Sequence, residues 1–336
     1  MMEYFDGLPE SEPAVRAPFE KGRAAMDAYK WDEAIVHFKA AMEHAAGTEL
    51  AALHGLVGHC HHLPGRLPQA LACFEESARL AERFHDKPGQ AHATGRVGVV
   101  LRDQGEFHGA LTKHEEALKL AKEAGARPQE AYALGDIGVF HYVSDEPAKA
   151  LSYFEDALKI HRETGDRHGQ ASLLCNIGLA RSMSGEQDKA LEYCEKSLAL
   201  AREIGDKGTE AGALANIDFL RADELKPAER LANQEQALKL MREVGDKRGQ
   251  ANLLANVGAT LIDVGEHEKA VASYLTAQNT HSVPGTIEGP KRYRYGLGRC
   301  LDAMGREKFV AACAKAGMTA PDAESLVKEL ASPKER

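Results

Sequence analysis

The chain has 336 residues, a formal net charge of −9 and 6% aromatic residues. An acidic chain repels nucleic acid and anionic membranes, so we expect neither as a partner. No stretch approaches the roughly 18 consecutive apolar residues of a membrane span. The start of the chain lacks the apolar core of a secretory signal, so we expect a cytoplasmic protein.

The first 14 residues are acidic and contain Pro9 and Pro13, which oppose helix formation. We therefore expect residues 1–14 to be a flexible acidic N-terminal segment. A repetitive helical pattern begins directly after it, near residue 15.

From that point the same pattern of small and apolar residues recurs, in most copies every 40 residues. The clearest copy spans 171–206 and reads as two amphipathic helices that are separated at Gly185 and ended by Gly205. The eighth position of each copy is a glycine in most of them: Gly58, Gly98, Gly138, Gly178, Gly258 and Gly298. Such a register over many copies indicates a repeat architecture.

A hairpin of this size cannot bury both of its apolar faces alone, so it must stack on neighbours. We predict about eight hairpins, near residues 15–46, 51–84, 91–124, 131–164, 171–204, 211–244, 251–281 and 291–317, which together form a solenoid over 15–317. Residues 318–336 are expected to form a C-terminal capping helix, which covers the last apolar face, and a polar tail.

Small residues at positions 8, 20 and 27 of each hairpin, as in Gly178, Ala190 and Ser197, resemble the tetratricopeptide repeat. The 40-residue spacing is most similar to the longer repeats of the LGN/Pins scaffold proteins and of bacterial sensor and regulator proteins. The resemblance implies an all-α fold, a right-handed superhelical solenoid. It also implies that the first helix of each hairpin, called the A helix, lines a concave groove; the second is called the B helix.

Groove position 6 carries the same residue in three successive repeats, as Asn176, Asn216 and Asn256. An amide both donates and accepts hydrogen bonds, so a row of amides can hold the backbone of an extended peptide. The alternative is that these asparagines join adjacent A helices. Position 9 lacks the second asparagine that is frequent in LGN/Pins repeats and required by the carboxylate clamp of chaperone-binding arrays.

The other groove positions are basic near the N-terminus and apolar in the middle. Around the asparagines, the predicted ligand contacts are Arg96, Tyr132, Asp136, Leu179 and Phe219. A basic strip that leads to an apolar floor suits an acidic or amphipathic peptide or helix of another protein. The alternative is a solvated face with scattered charges.

Patterns for catalysis and metal binding are weak. The chain has no phosphate-binding loop, nucleophile elbow or zinc-protease motif, so we expect neither an enzyme nor a bound cofactor. The run His59-Cys60-His61-His62 lacks the histidine pair, four residues apart, that binds zinc well, and we expect no metal. The six cysteines form no CxxC motif, and we expect free thiols in a reducing compartment.

The repeat at 211–244 departs from the pattern, because Asp218 replaces the glycine of position 8 and Arg230 the alanine of position 20. Either charge alone would be unfavourable in a buried position. We therefore predict an Asp218–Arg230 ion pair in a wider hairpin, and a locally weak repeat or hinge.

The sequence thus predicts a non-enzymatic scaffold or adaptor that binds a peptide or helix of a partner protein in the concave groove. The alternative is a ligand-responsive sensor or regulator, in which a peptide or small molecule changes the pitch of the superhelix. Self-association through an open apolar end is a third possibility, and the prediction leaves open a monomer or a weak oligomer.

Overall fold

The computed structural model describes residues 12–280 and 288–331, and every regular element in these ranges is an α-helix. The seventeen helices of the described ranges are α1 (Pro13–Asp27), α2 (Trp31–Met42), α3 (Gly47–His62), α4 (Leu67–Arg83), α5 (Lys87–Asp103), α6 (Phe107–Ala124), α7 (Arg127–Val143), α8 (Pro147–Thr164), α9 (Arg167–Met183), α10 (Gln187–Ile204), α11 (Lys207–Leu220), α12 (Pro227–Val244), α13 (Lys247–Asp263), α14 (His267–Thr280), α15 (Glu288–Met304), α16 (Arg306–Lys315) and α17 (Ala320–Leu330). The predicted all-α fold class is confirmed. None of these helices combines the length and apolarity needed to cross a bilayer.

The chain divides into two compact units, one ending at Asp206 and the other beginning at Lys207. In the N-terminal unit, α1 to α10 form five hairpins, and each helix packs on the helix that follows it. In the C-terminal unit, α11 to α14 form two further hairpins, and α15, α16 and α17 pack on one another behind them. Each unit is therefore a stack of consecutive helices.

Within a hairpin, the A and B helices approach each other at the position 8 glycine. A Cβ atom on Gly58 would lie 2.8 Å from the ring of Phe74, and one on Gly138 would lie 2.6 Å from the ring of Phe154. Both rings are fully buried. Because interiors are close-packed, glycine at position 8 is the counterpart of a bulky side chain at position 24.

The joints between hairpins are built from capping contacts. The carboxylates of Asp86, Asp166 and Asp246 each accept a hydrogen bond of 2.9 Å from the backbone N–H three residues later, which caps the following A helix. An exposed ion pair recurs beside the joints, as Lys87–Glu123, Arg127–Glu163, Arg167–Glu203 and Lys207–Glu243. Exposed pairs contribute little to stability, so the caps and the packing define the joints.

The N-terminal prediction is wrong at its last two residues. Helix α1 begins at Pro13, where we expected flexible chain. Proline is favoured in the first turn of a helix because its missing N–H would have no helical partner there. Residues 1–11 of the predicted acidic segment lie outside the described residues, as do residue 281 of the seventh predicted hairpin and the tail at 332–336.

Helix α17 lies where the sequence predicts a capping helix. It buries Ala323, Leu326 and Leu330 and packs on α15 and α16. Its function as a cap stays a prediction.

The hairpin of α11 and α12 differs from the others, and its contacts differ from the predicted ones. Asp218 is buried, and Nε of Arg230 lies 3.7 Å from its Oδ2 atom, so the predicted ion pair is present but long. The shorter contact is with Gln234, whose Nε2 donates to the same oxygen at 2.7 Å. The sequence predicted only a contact between the two charged residues, Asp218 and Arg230, and the contact of Asp218 with Gln234 was not predicted.

Candidate functional site

The N-terminal unit contains a cavity of about 220 Å³ that is bounded by side chains of α5, α6, α7 and α9. Its lining consists of Ala91, His92, Gly95, Arg96, Ala117, Gln129, Tyr132, Ala133, Asp136 and Ser172. Three predicted site residues, Arg96, Tyr132 and Asp136, therefore line one cavity. The small lining residues, which are glycine and alanines, leave open space next to the polar ones.

Arg96 is held on one side of the cavity by an aromatic ring and a histidine. Its guanidinium carbon lies 5.5 Å from the centroid of the Phe74 ring, and its Nη2 lies 3.4 Å from Nδ1 of His62. Its Nε atom is buried and has no hydrogen-bond partner. Burial lowers the pKa of Arg96, although an arginine remains a cation at any physiological pH. The cavity thus contains a fixed and incompletely hydrogen-bonded cation.

Three histidines near Arg96 are neutral at pH 7. Burial, followed by the charge of Arg96, lowers the pKa of His92 to about 3 and holds the pKa of His59 well below its usual value. Burial also lowers the pKa of His62, against the opposing effect of its hydrogen bond to Asp103. The positive charge at this side of the cavity is therefore that of Arg96.

Asp136 provides a negative charge on the α7 side. Its Oδ1 lies 3.9 Å from Nη1 of Arg102, and its Oδ2 lies 3.6 Å from Nδ1 of His114. Both distances exceed that of a hydrogen bond. Arg102 is closer to Asp103, to which its Nε donates at 3.2 Å. Asp136 is thus a partly compensated carboxylate, and the cavity carries opposite charges on different walls.

The hydroxyl of Tyr132 makes a hydrogen bond to another side chain of the protein. It donates to Oδ2 of Asp166 at 2.5 Å, and Nδ1 of His161 lies 3.0 Å from the same oxygen. Burial raises the pKa of Asp166, but the contacts with His161, the N–H of Gly169 and Tyr132 outweigh it and hold this pKa well below its usual range. Tyr132 therefore ties α7 to the joint before α9.

The three predicted asparagines have different surroundings. Asn176 lies half-buried on α9 in the N-terminal unit, and its amide makes no hydrogen bond with any residue of the described ranges. Asn216 and Asn256 lie half-buried in the C-terminal unit, on α11 and α13. Oδ1 of Asn256 accepts a short hydrogen bond from Arg292 on α15. The contact of Asn256 therefore joins two A helices, α13 and α15, which is the alternative to contact with a peptide.

The two predicted apolar contacts also lie in different units. Leu179 is half-buried on α9, whereas Phe219 on α11 is 63% exposed. A single exposed apolar side chain is common on protein surfaces, so the contact of Phe219 with a ligand stays a prediction.

Sequence reasoning did not single out two polar residues of the cavity. Ser172 occupies position 2 of its repeat, which is a groove position, so the repeat register could have identified it. Gln129 precedes the first position of its repeat and gave no such signal. The histidines at 59, 61 and 62 do not converge with other ligands, since no group of three metal-binding side chains occurs in the described part of the chain.

Comparison with known proteins gives one family and many similar folds. The sequence profile of the tetratricopeptide repeat matches residues 48–123 and 129–203. No curated protein matches the chain. The match covers the hairpins that contain the cavity.

Three solved structures illustrate the similarity of fold. The Rap conjugation gene regulator of plasmid pLS20 in complex with the Phr* peptide has a TM-score of 0.66 at 14% identity, over 86% of this chain and 75% of that one. A Rap protein complexed with competence and sporulation factor has a TM-score of 0.62 at 12% identity, over 96% and 99%. Aspartyl phosphate phosphatase F from Bacillus subtilis has a TM-score of 0.60 at 16% identity, over 82% and 72%. At such identities the similarity concerns the fold alone.

Proposed function

We propose that this chain, which is a tetratricopeptide repeat protein, binds a peptide segment of a protein partner along its A helices. The observation that carries the proposal is the cavity of about 220 Å³ between consecutive hairpins, with Arg96 and Asp136 on different walls. Concave sites with a few convergent polar groups are typical of binding sites.

The amide of Asn176 supports an extended peptide as the ligand. It lies on α9, the A helix that also contributes Ser172 to the cavity, and it makes no hydrogen bond within the described ranges. A peptide backbone offers alternating donors and acceptors, and an amide satisfies one of each. Leu179, one turn further along α9, adds apolar surface for a neighbouring peptide side chain.

The solved structures with the same fold also support a peptide ligand. Two of them hold a peptide or factor, the Phr* peptide in one and competence and sporulation factor in the other. One neighbour is named a phosphatase, but a shared fold does not carry an activity with it. We propose that this chain acts through binding, as a scaffold or adaptor, or as a sensor whose hairpins move when the peptide binds.

Selection of peptides against the full chain tests the proposal. A display library of random heptapeptides is expected to yield sequences that wild type retains, and Asn176→Ala is expected to weaken their binding by about fivefold to tenfold, the loss of one or two hydrogen bonds. Asn233→Ala, which removes a half-buried amide from the B helix α12, is the matched control and should bind as wild type does. Failure to enrich any peptide would contradict the proposal.

Small-angle X-ray scattering then separates a scaffold from a sensor. A selected peptide should leave the scattering profile unchanged if the array is a rigid scaffold. A change in the radius of gyration on peptide addition, which saturates with the binding curve, would identify a sensor. The Asn176→Ala variant at the same peptide concentration provides the control.

A further inference from the structure

We infer that Asp166, which lies outside the cavity, is a positioning residue that fixes two of its walls, Tyr132 on α7 and Ser172 on α9. Through them it couples ligand binding to the joint between α8 and α9. The inference rests on the proposed function and adds a means by which that site acts on the stack of hairpins. It follows from the contacts of one carboxylate and from a comparison with two other joints.

The first observation is that each oxygen of the Asp166 carboxylate holds a different helix. Oδ2 accepts a hydrogen bond of 2.5 Å from the hydroxyl of Tyr132, whose side chain lines the cavity. Oδ1 accepts a hydrogen bond of 2.9 Å from the N–H of Gly169, which caps α9 three residues before the lining residue Ser172. Asp166 is buried, so water does not compete strongly for these bonds, and one carboxylate connects α7 to the first turn of α9.

The second observation is that two packed rings fill the space between the cavity and the joint. The Tyr132 ring packs edge-on against the ring of His161 on α8, with centroids 4.8 Å apart. The His161 ring lies so close to Gly169 that a Cβ atom there would be 2.4 Å from it. Because close-packed groups do not move independently, a displacement of Tyr132 is passed to the end of α8 and the start of α9.

The third observation is that the link is specific to one joint. Asp86 and Asp246 cap α5 and α13 in the same way as Asp166 caps α9. At those two joints the repeat positions of Tyr132 and His161 hold residues whose side chains donate no hydrogen bond to a carboxylate. These residues are Ala52 and Ala81 for the joint of Asp86, and Gly212 and Met241 for the joint of Asp246. Capping therefore needs neither ring, and the two rings beside Asp166 serve something other than the cap.

These contacts make the cavity and the joint one unit. The hydroxyl of Tyr132 is held by a charged acceptor, and such hydrogen bonds are about twice as strong as neutral ones, so the ring is the part that a ligand contacts. A ligand that packs on this ring keeps the hydroxyl on Asp166 and thereby stabilises the start of α9. Coupling between two sites is reciprocal, so a loosened joint weakens ligand binding by the same factor.

Hydrogen exchange on the full chain without ligand is the first test. Tyr132→Phe removes one hydroxyl from α7, yet we expect the backbone amides at the start of α9 to exchange about tenfold faster, as for the loss of a hydrogen bond to a charged group. The start of α13, which Asp246 caps without a tyrosine, is the internal control and should exchange as in wild type. Circular dichroism verifies that the variant is as helical as wild type.

Peptide binding is the second test, and a purely structural role of Asp166 would not change it in the expected pattern. A heptapeptide selected on wild type should slow exchange at the start of α9. Tyr132→Phe and Asp166→Ser, which retains a capping side chain, should each weaken its binding by about tenfold. The double variant should bind no more weakly than either single one, because both remove the same link. Asp246→Ser, the same substitution at a joint in the C-terminal unit, is the matched control and should bind as wild type does.

The inference is overturned if Tyr132→Phe leaves exchange at the start of α9 unchanged, if Asp166→Ser binds the peptide as wild type does, or if the losses of the two substitutions add. The proposed function would stand in each case, since wild type would still bind the selected peptide. A library that yields no peptide contradicts the proposed function instead. The exchange test on the ligand-free chain then shows by itself whether Tyr132 and the joint are coupled.

Discussion

The side-chain amide of Gln234 donates to the carboxylate of Asp218 at 2.7 Å, in the place where other hairpins pack a ring on a glycine. Both residues are buried, and the same amide nitrogen donates to Oγ1 of Thr260 at 3.0 Å. Compared with hairpins such as that of Gly138 and Phe154, position 8 has a side chain, that of Asp218, and position 24 has Gln234 in place of an aromatic ring. The two departures from the repeat therefore compensate each other, in volume and in polarity.

The first prediction concerns this pair. Gln234→Leu leaves the buried carboxylate of Asp218 without its short hydrogen bond, and we expect a loss of about 2–3 kcal/mol in the free energy of unfolding. Urea denaturation of the purified chain measures the effect.

The double variant Asp218→Gly/Gln234→Phe restores the arrangement found at Gly138 and Phe154. We expect it to be more stable than Gln234→Leu and than Gln234→Phe, in which the ring meets Asp218. Additive effects of the two substitutions would show that the residues are not coupled.

The second prediction concerns the turn between α7 and α8. Asp145 has φ of +61° there, whereas the same place in other hairpins holds glycines such as Gly185, with φ of +78°. A left-handed conformation is unfavourable for a residue with a Cβ atom. Asp145→Gly should therefore raise the free energy of unfolding by about 0.5–1 kcal/mol, as measured by urea denaturation.

The reciprocal substitution is the control for that turn. Gly185→Asp places the strained residue in a hairpin that lacks it, and it should lower stability by a similar amount. An unchanged midpoint for both variants would argue that the turns relax without strain.

The third prediction concerns pH. The pKa of His92 is lowered from 6.5 to about 3, by burial first and by Arg96 second, so this residue is neutral in the folded state. The unfolded chain takes up a proton below pH 6.5, and the folded chain does not, so stability decreases as the pH falls from 6.5 toward 5. His92→Gln should reduce this decrease in a series of urea denaturations between pH 7.5 and 5.

His168→Gln is the control of opposite sign. The hydrogen bond to Asp206 raises the pKa of His168, against burial, so its contribution to stability is present below pH 6.5 and is lost as the pH rises through the folded value. As the pH falls, the free energy of unfolding of His168→Gln should therefore decrease more steeply than that of wild type. Identical pH profiles for wild type and His92→Gln would contradict the prediction.

The fourth prediction concerns the thiols. The six cysteines form no disulfide with one another, and five of them are buried, with Cys73 half-exposed. Burial raises the pKa of Cys60 to about 12 and that of Cys300 to about 11, which suppresses their thiolate forms. A thiol-reactive dye at pH 8 should label one site rapidly in the native chain and six after denaturation. Cys73→Ser should remove the rapid phase, and a second rapid site in wild type would contradict the burial of the others.

Much of the fold follows from the sequence because it depends on local patterns with a fixed register. The 40-residue period gives the alternation of helices, and the Gly-Asp joints predict the caps that Asp166 and Asp246 form. These features involve contacts over a few residues, or between positions with a constant separation. A single sequence is sufficient to read them.

The site depends on contacts that the register does not specify. Asn176 and Asn256 occupy the same position of their repeats, yet only the second accepts a hydrogen bond from an arginine 36 residues later. In the same way, Asp218 faces both Arg230 and Gln234, and the shorter contact depends on the packing of the two helices. Positions predict which face a side chain is on, while its partner depends on distances of an ångström or two.

The packing of position 8 on position 24 has a consequence for how such a chain can be rearranged. Each hairpin carries both members of its pair, whether Gly138 with Phe154 or Asp218 with Gln234. Recombination at a Gly-Asp joint would exchange complete pairs, whereas recombination at the turn inside a hairpin would set a ring against an aspartate. The natural module for duplication, deletion or grafting is therefore the hairpin between two joints, and the irregular hairpin of α11 and α12 can be moved only as a whole.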